Sequence, residues 1–252
     1  MYTLTAADFA DTGQWRLLLK IGCTGLEAFL ENTLHPEIEP QRLCEASWDI
    51  NKDMLRKNIE DAVYNNPRLL DDFATRIILY DPRTLFIPSD VADESLGAEE
   101  ELYKIVYTAE ESDIMSDRDR DITAAWSLAP GVKSFLMRTF PGARITCHLM
   151  EKVRQLRKEN ARTLLHVGAR KGEADIIFLD GQALISASTH EWNHPDDIAY
   201  LAMNLLDVYG YKLSRVSIEL HGGDINTDAW KFVAEHSRSF NHYSNENDNS
   251  KW

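Results

Sequence analysis

The stretch His190-Glu191-Trp192-Asn193-His194 spells HExxH. On a helix this spacing puts two imidazoles one turn apart, able to grip zinc, with the glutamate as general base of a peptidase. Here Pro195 follows the second histidine. A residue before proline is pushed out of the α region, and Pro195 suits the first position of a helix. His194 is therefore expected to be an N-cap, and the motif to lie in a strand-to-helix loop. The third ligand of the extended motif is also missing, because Asp197 and Tyr200 hold those places. Zinc peptidase chemistry stays as a remote alternative. There is no G-x-S-x-G elbow and no P-loop. Cys23, Cys44 and Cys147 are odd in number without a CxxC, which suits reduced thiols of a cytoplasmic protein used as packing material. The other histidines show no metal spacing along the chain. The residues alone assign no catalytic group, metal ligand or cofactor.

The elements that position these residues are clearest toward the C-terminus. Strands are expected at 162–168, 174–179 and 182–189, with Asp180-Gly181 as a hairpin turn. A helix opens at Pro195, with Asp196 and Asp197 in its first turn. Ile198, Leu201, Ala202, Leu205, Leu206 and Tyr209 form one apolar face, and Gly210 is the expected C-cap. A strand at 215–220 and a helix at 227–236 follow, and the chain then turns polar. The N-terminal part repeats the order, with strands at 15–22, 25–31 and 41–47, a helix at 53–65 and a strand at 75–80. Between the two lie expected helices at 99–108, 131–139 and 149–160 and strands at 122–128 and 145–148. In helix 149–160, Leu149, Val153 and Leu156 are expected inward, and Lys152, Arg154 and Lys158 outward. The pattern reads as an α/β protein with a duplicated βββαβ unit.

The chain has 252 residues and a formal net charge of −14, with 44% hydrophobic residues. That composition is globular, and its acidity argues against nucleic acid or an anionic membrane as partner. No stretch has the length of a membrane span, and residues 1–13 lack the Lys or Arg of a signal peptide. Residues 93–121 carry eleven acids and three bases, whereas 133–171 carry ten bases and two acids. These blocks are either solvated faces or docking surfaces for a charged partner. They are expected in different lobes or at a shared boundary. The basic helix at 149–160 has no interleaved aromatics, which argues against a nucleic-acid role.

The stretches YDPRTLFIPSDV (80–91), SFLMRTFPGARITCHL (134–149), LHVGARKGEADIIFLDGQALISAS (165–188) and SIELHGGD (217–224) carry a resemblance. Over residues 15–240 the chain resembles an uncharacterised Bacteroidetes family with the actin-like ATPase (ribonuclease H-like) fold, shared with sugar kinases and Hsp70-type chaperones. The resemblance implies two pseudo-repeated βββαβαβα lobes. Residues 1–14 would be an extension, 15–160 the first lobe with its linking helix, 161–240 the second lobe, and 241–252 a disordered polar tail. In active relatives two glycine-containing hairpins cradle phosphates, a carboxylate at each positions metal and water, and a Gly-Gly after a late strand approaches adenosine. The physical basis is close approach by backbone N–H groups at glycine and oxygen ligands for the metal.

On this sequence the resemblance picks out Lys20, Gly22, Gly168, Arg170, Gly222 and Gly223 as cleft positions. Lys20 and His166 stand where aspartates would be expected, so the implied magnesium site is lost. Lys20, Arg170 and Lys171 could meet an anion or serve as ordinary hairpin surface, and Gly222-Gly223 could be only a strand-to-helix turn. Two functions follow as expectations: a non-catalytic protein that binds a protein partner, by analogy with assembly platforms of secretion and pilus machines, or a nucleotide- or phosphate-binding ATPase-like protein.

Overall fold

The computed structural model describes residues 12–49, 51, 54–80, 83–93, 97–108, 113–159, 162–170, 172–223 and 226–244. Expectations about residues 1–11, Lys171, Asp224 and 245–252 fall outside the described residues. Contacts divide the chain into two units, Met1–Asp81 with Ile87–His148, and Pro82–Phe86 with Leu149–Trp252.

The first unit begins with a meander of β1 (Trp15–Gly22), β2 (Gly25–Asn32) and β3 (Gln41–Ser47). Helix α1 (Leu55–Tyr64) leads to β4 (Ala74–Leu79), which lies parallel to β1. Alternation along β1 sends Leu17, Leu19 and Ile21 into the core with Leu26, Ala28 and Leu30 of β2. Helix α1 buries Ile59, Ala62 and Val63. There follow β5 (Thr84–Pro88), α2 (Ser89–Ala92), α3 (Ala98–Tyr107), β6 (Asp113–Asp119), β7 (Ile122–Leu128), α4 (Val132–Thr139) and β8 (Arg144–Cys147). The main sheet has the order β3-β2-β1-β4-β8, and in a smaller sheet β6 pairs antiparallel with β7.

The second unit uses the same plan. Helix α5 (His148–Glu159) runs into a second meander, β9 (Thr163–Arg170), β10 (Glu173–Asp180) and β11 (Ala183–Glu191). Gly181, with φ of 60°, makes the expected β10–β11 turn. Helix α6 (Pro195–Val208), β12 (Ser217–His221), α7 (Asp228–His236) and β13 (Ser239–Tyr243) complete the order β11-β10-β9-β12-β13. Leu165, Val167, Ile176, Phe178, Ile218 and Leu220 form one face of this sheet. They pack with Ile198, Ala202 and Leu206 of α6 and Trp230 and Val233 of α7. Trp230 Nε1 also donates to the Pro195 carbonyl at 3.1 Å, tying α7 to the start of α6.

Several elements differ from the sequence reading. Residues 241–243, read as the start of the tail, finish β13, which pairs parallel with β12. The acidic block is not only helix and loop, because Asp113–Asp119 is β6, paired antiparallel with β7. Arg154, expected outward on α5, is 9% exposed, and Arg157 on the same helix is 1% exposed. Tyr209 is 46% exposed rather than on the buried face of α6. The sequence reading placed the linking helix in the first lobe, whereas contacts group all of α5 after His148 with the second unit.

The acidic block lies within the first unit, and the basic block divides between the two units. The acidic block is partly neutralised locally. Arg118 donates twice to Asp93 at 2.7 Å, Lys104 bonds Glu100 at 2.6 Å, and Lys133 donates to the Ile114 carbonyl. Among the described residues no helix is long and apolar enough to cross a membrane.

Candidate functional site

The sequence-derived positions fall in two groups, one in each unit. In the first unit Gly22 and Gly25 face each other across the β1–β2 turn. Gly25 has a packing reason: a Cβ there would lie 2.7 Å from the Ala46 carbonyl oxygen of β3. At Gly22 an added Cβ would meet Tyr80 at an ordinary 3.6 Å. Trp48 closes the turn, its indole donating to the Cys23 carbonyl and its N–H to the Thr24 carbonyl, both at 2.9 Å.

Lys20 does not project from this turn. It is 6% exposed, opposite Glu27 on β2, with its ammonium 4.9 Å from the centre of the Phe29 ring. Burial lowers its pKa to about 8, while Glu27 and Glu31 pull it upward and Arg76 and Arg42 push it down. Both carboxylates have arginine partners. Arg42 bonds Glu27 at 3.1 Å and Glu45 at 2.7 Å, and Arg76 bonds Glu31 at 3.1 Å.

In the second unit the β9–β10 hairpin is bound internally. Arg170 makes two hydrogen bonds to Asp175, at 2.7 and 3.0 Å, and Thr189 donates to the same carboxylate at 2.6 Å. Trp192 covers the hairpin, its indole donating to the Arg170 carbonyl and its N–H to Gly172. Arg170 is thus committed to Asp175. Gly222 and Gly223 both have positive φ, 71° and 73°, and a Cβ on Gly223 would press on Ala169 at 3.3 Å. The Gly222 N–H donates to the Tyr243 carbonyl, and its own carbonyl accepts from His242. The glycine pair therefore has a conformational reason to be glycine, independent of any ligand.

The same sheet end gathers residues that no spacing along the chain had joined. Strands β9 and β12 are parallel, with Glu219 opposite His166 and His221 opposite Gly168. Alternation puts all four on one face. The His166 and His221 rings lie with centroids 4.8 Å apart, and His221 stacks on Tyr243 at 4.4 Å. One ligand atom from each of His166, Glu219 and His221 falls within 4.8 Å of the others, so the trio could hold a metal ion. His166 is 3% exposed. Burial first, then Lys152 and His221, hold its pKa well below the usual histidine range, against the opposite pull of Asp175. His221 was visible only as part of a glycine turn, and Glu219 was not singled out. The one signal was their alternation on a strand that must sit beside β9.

The HExxH residues are not helical. His190 and Glu191 end β11, and His194 is the N-cap of α6. The His194 Nδ1 accepts from the Asp196 N–H, while Asp197 accepts from the Asn193 and His194 N–H groups. His190 bonds Ser188 at 2.8 Å. The two imidazoles therefore lack the one-turn helical spacing that the peptidase motif requires.

Two meanders, each continued by a helical crossover into parallel strands in the same order, define the actin-like ATPase fold. A solved Bacteroides thetaiotaomicron protein with that fold and unknown function is similar over 93% of both chains, with TM-score 0.77 and 16% identity. A family model described as protein of unknown function (DUF3822) matches residues 5–234, and the chain belongs to that family. More distant likenesses include a PilM–PilN type IV pilus biogenesis complex, with TM-score 0.44, 11% identity and coverage of 90% and 87%. Another is the ethanolamine utilization protein EutJ from Carboxydothermus hydrogenoformans, with TM-score 0.44, 8% identity and coverage of 91% and 84%. No curated protein matches in sequence.

Proposed function

We propose that this is a non-catalytic cytoplasmic protein that works by binding a protein partner. The observation that carries this reading is an apolar groove between α6 and α7. Ala199, Tyr200, Met203, Ala229, Phe232 and Val233 line it, Asp196 sits beside them, and its volume is about 330 Å³. Tyr200 is 70% exposed and Phe232 50%. Exposed aromatics around an apolar hollow are the usual anchors of protein interfaces. Asp196 and the net charge of −14 favour a partner with an apolar anchor flanked by Lys or Arg.

Two features support the absence of phosphate chemistry. A buried ammonium at Lys20 and a buried imidazole at His166 are not the oxygen donors that magnesium takes. Arg170, the hairpin cation, already holds Asp175. The three cysteines are free, Cys23 at the surface, as suits a reducing compartment.

A thermal-shift titration with ATP, with and without magnesium, is expected to leave the melting midpoint unchanged. Saturable stabilisation that Gly222→Val abolishes would overturn the non-catalytic reading. On the partner side, a Tyr200→Glu/Phe232→Glu variant is expected to melt like the wild type yet lose proteins that the wild type retains in affinity capture. Equal capture by both would remove the groove from the proposal.

A further inference from the structure

We propose that His166, Glu219 and His221 form a binding site for one divalent transition-metal ion of the zinc type. Two imidazoles and one carboxylate are a donor set that zinc accepts, with at least one coordination position left for water or an incoming ligand. The site lies on neighbouring parallel strands, with His221 the last residue of β12, toward the strand ends where open α/β sheets bind ligands.

Gly168 lies directly opposite His221, and a Cβ on it would come 3.9 Å from His166 Nε2. The glycine places no side chain beside His166 Nε2. Donor atoms within 4.8 Å of one another must close toward the roughly 3.3 Å separation implied by zinc bonds of about 2.0 Å in a tetrahedron. The partly buried side chains of His221 and Glu219 would have to shift to supply that closure.

His166 supplies the second, independent indication. Its Nδ1 is buried without a hydrogen-bond partner. A buried orphan nitrogen is costly, and a metal bond there removes the cost. Glu219 accepts from Arg162 at 2.7 Å through Oε1, which orients the carboxylate and leaves its other oxygen for the ion. Lys152 opposes a cation here and Asp175 favours one, the lysine more strongly.

The test uses the full chain, stripped with a chelator and dialysed against Zn²⁺, with Co²⁺ absorption reporting coordination. Wild type is expected to take up one ion per chain and, with Co²⁺, to show ligand-field bands. His221→Phe keeps a ring against Tyr243 but removes a donor, so affinity falls by more than about tenfold, with the chelator-treated melting midpoint unchanged. Glu219→Gln serves as a second variant should His221→Phe fold poorly, and it too is expected to weaken uptake. Substoichiometric uptake by the wild type overturns the site. So does wild-type affinity in the folded variants, and so does loss of uptake in a His190→Ala/His194→Ala variant, which would place the ion at the β11–α6 loop.

Discussion

The two main sheets share strand order but use their second faces differently. In the first, the face of β1 that carries Arg16, Leu18 and Lys20 holds a distributed charge network. Arg42 bridges Glu27 and Glu45, and Glu31 takes both Arg76 and Arg16. In the second, the equivalent surface is concentrated. One arginine–aspartate pair binds the hairpin, and three potential ligands meet beside it. A duplicated backbone thus specifies topology but not chemistry. Side chains that alternate onto the second face diverge without disturbing the first.

Breaking the concentrated face is expected to have the larger effect. Asp175→Ala leaves Arg170 without its two hydrogen bonds and Thr189 without its acceptor. It is expected to cost about 3 kcal/mol in urea unfolding. Glu31→Ala removes one member of a shared network and is expected to cost about 1 kcal/mol. Equal losses would remove the contrast between the two faces.

Lys20→Met sharpens the comparison from the other side. Glu27 and Glu31 keep their arginines when this buried charge, disfavoured mainly by desolvation, is removed. A gain of about 1–2 kcal/mol is expected at pH 7. Lys20 titrates near 8 in the folded chain against an ordinary value of 10.5. Between those values the unfolded chain binds more protons, so the lysine's penalty is full below pH 8 and fades as pH rises toward 10.5. The advantage of Lys20→Met should therefore shrink over that interval, and a constant advantage would contradict the buried-ammonium account. The smallest effect belongs to Asp93→Ala. Its bidentate pair with Arg118 is more than half exposed on the aspartate side, at 58%, and the urea midpoint is expected not to move.

Both meanders and their crossover strands are legible in the sequence because long apolar or alternating runs such as WRLLLKIG and EADIIFLD leave little choice. The strands that escape notice are those at sheet edges. Segment DIMSDRD of β6 is largely charged because only Ile114 is buried, and SFNHY of β13 borders β12 alone. Edge strands tolerate polar residues that central ones do not. The hairpin glycines and the N-cap role of His194 were equally readable, since each depends on local backbone geometry. The His166–Glu219–His221 group was not, because more than fifty residues separate His166 from the other two. Only the parallel register of β9 and β12 joins them. The groove residues Tyr200 and Phe232 were hidden differently: each lies off the apolar face of its own helix, and only the pairing of α6 with α7 makes a hollow.

The parallel partners of β1 and β9 also set an order of assembly. Each meander closes through local connections, two residues long except for the eight between β2 and β3, so β1–β2–β3 and β9–β10–β11 can pair early, on microsecond timescales. Strands β4 and β12 must wait for a helix and its connections to bring back a distant segment, and that loop closure slows folding. Substitutions in the meanders should therefore act mainly on the folding rate. Those in β12, His221 included, should act mainly on unfolding. By this account the ligand cluster is among the last parts of the second unit to form, and a bound ion would lengthen the native lifetime more than it hastens folding.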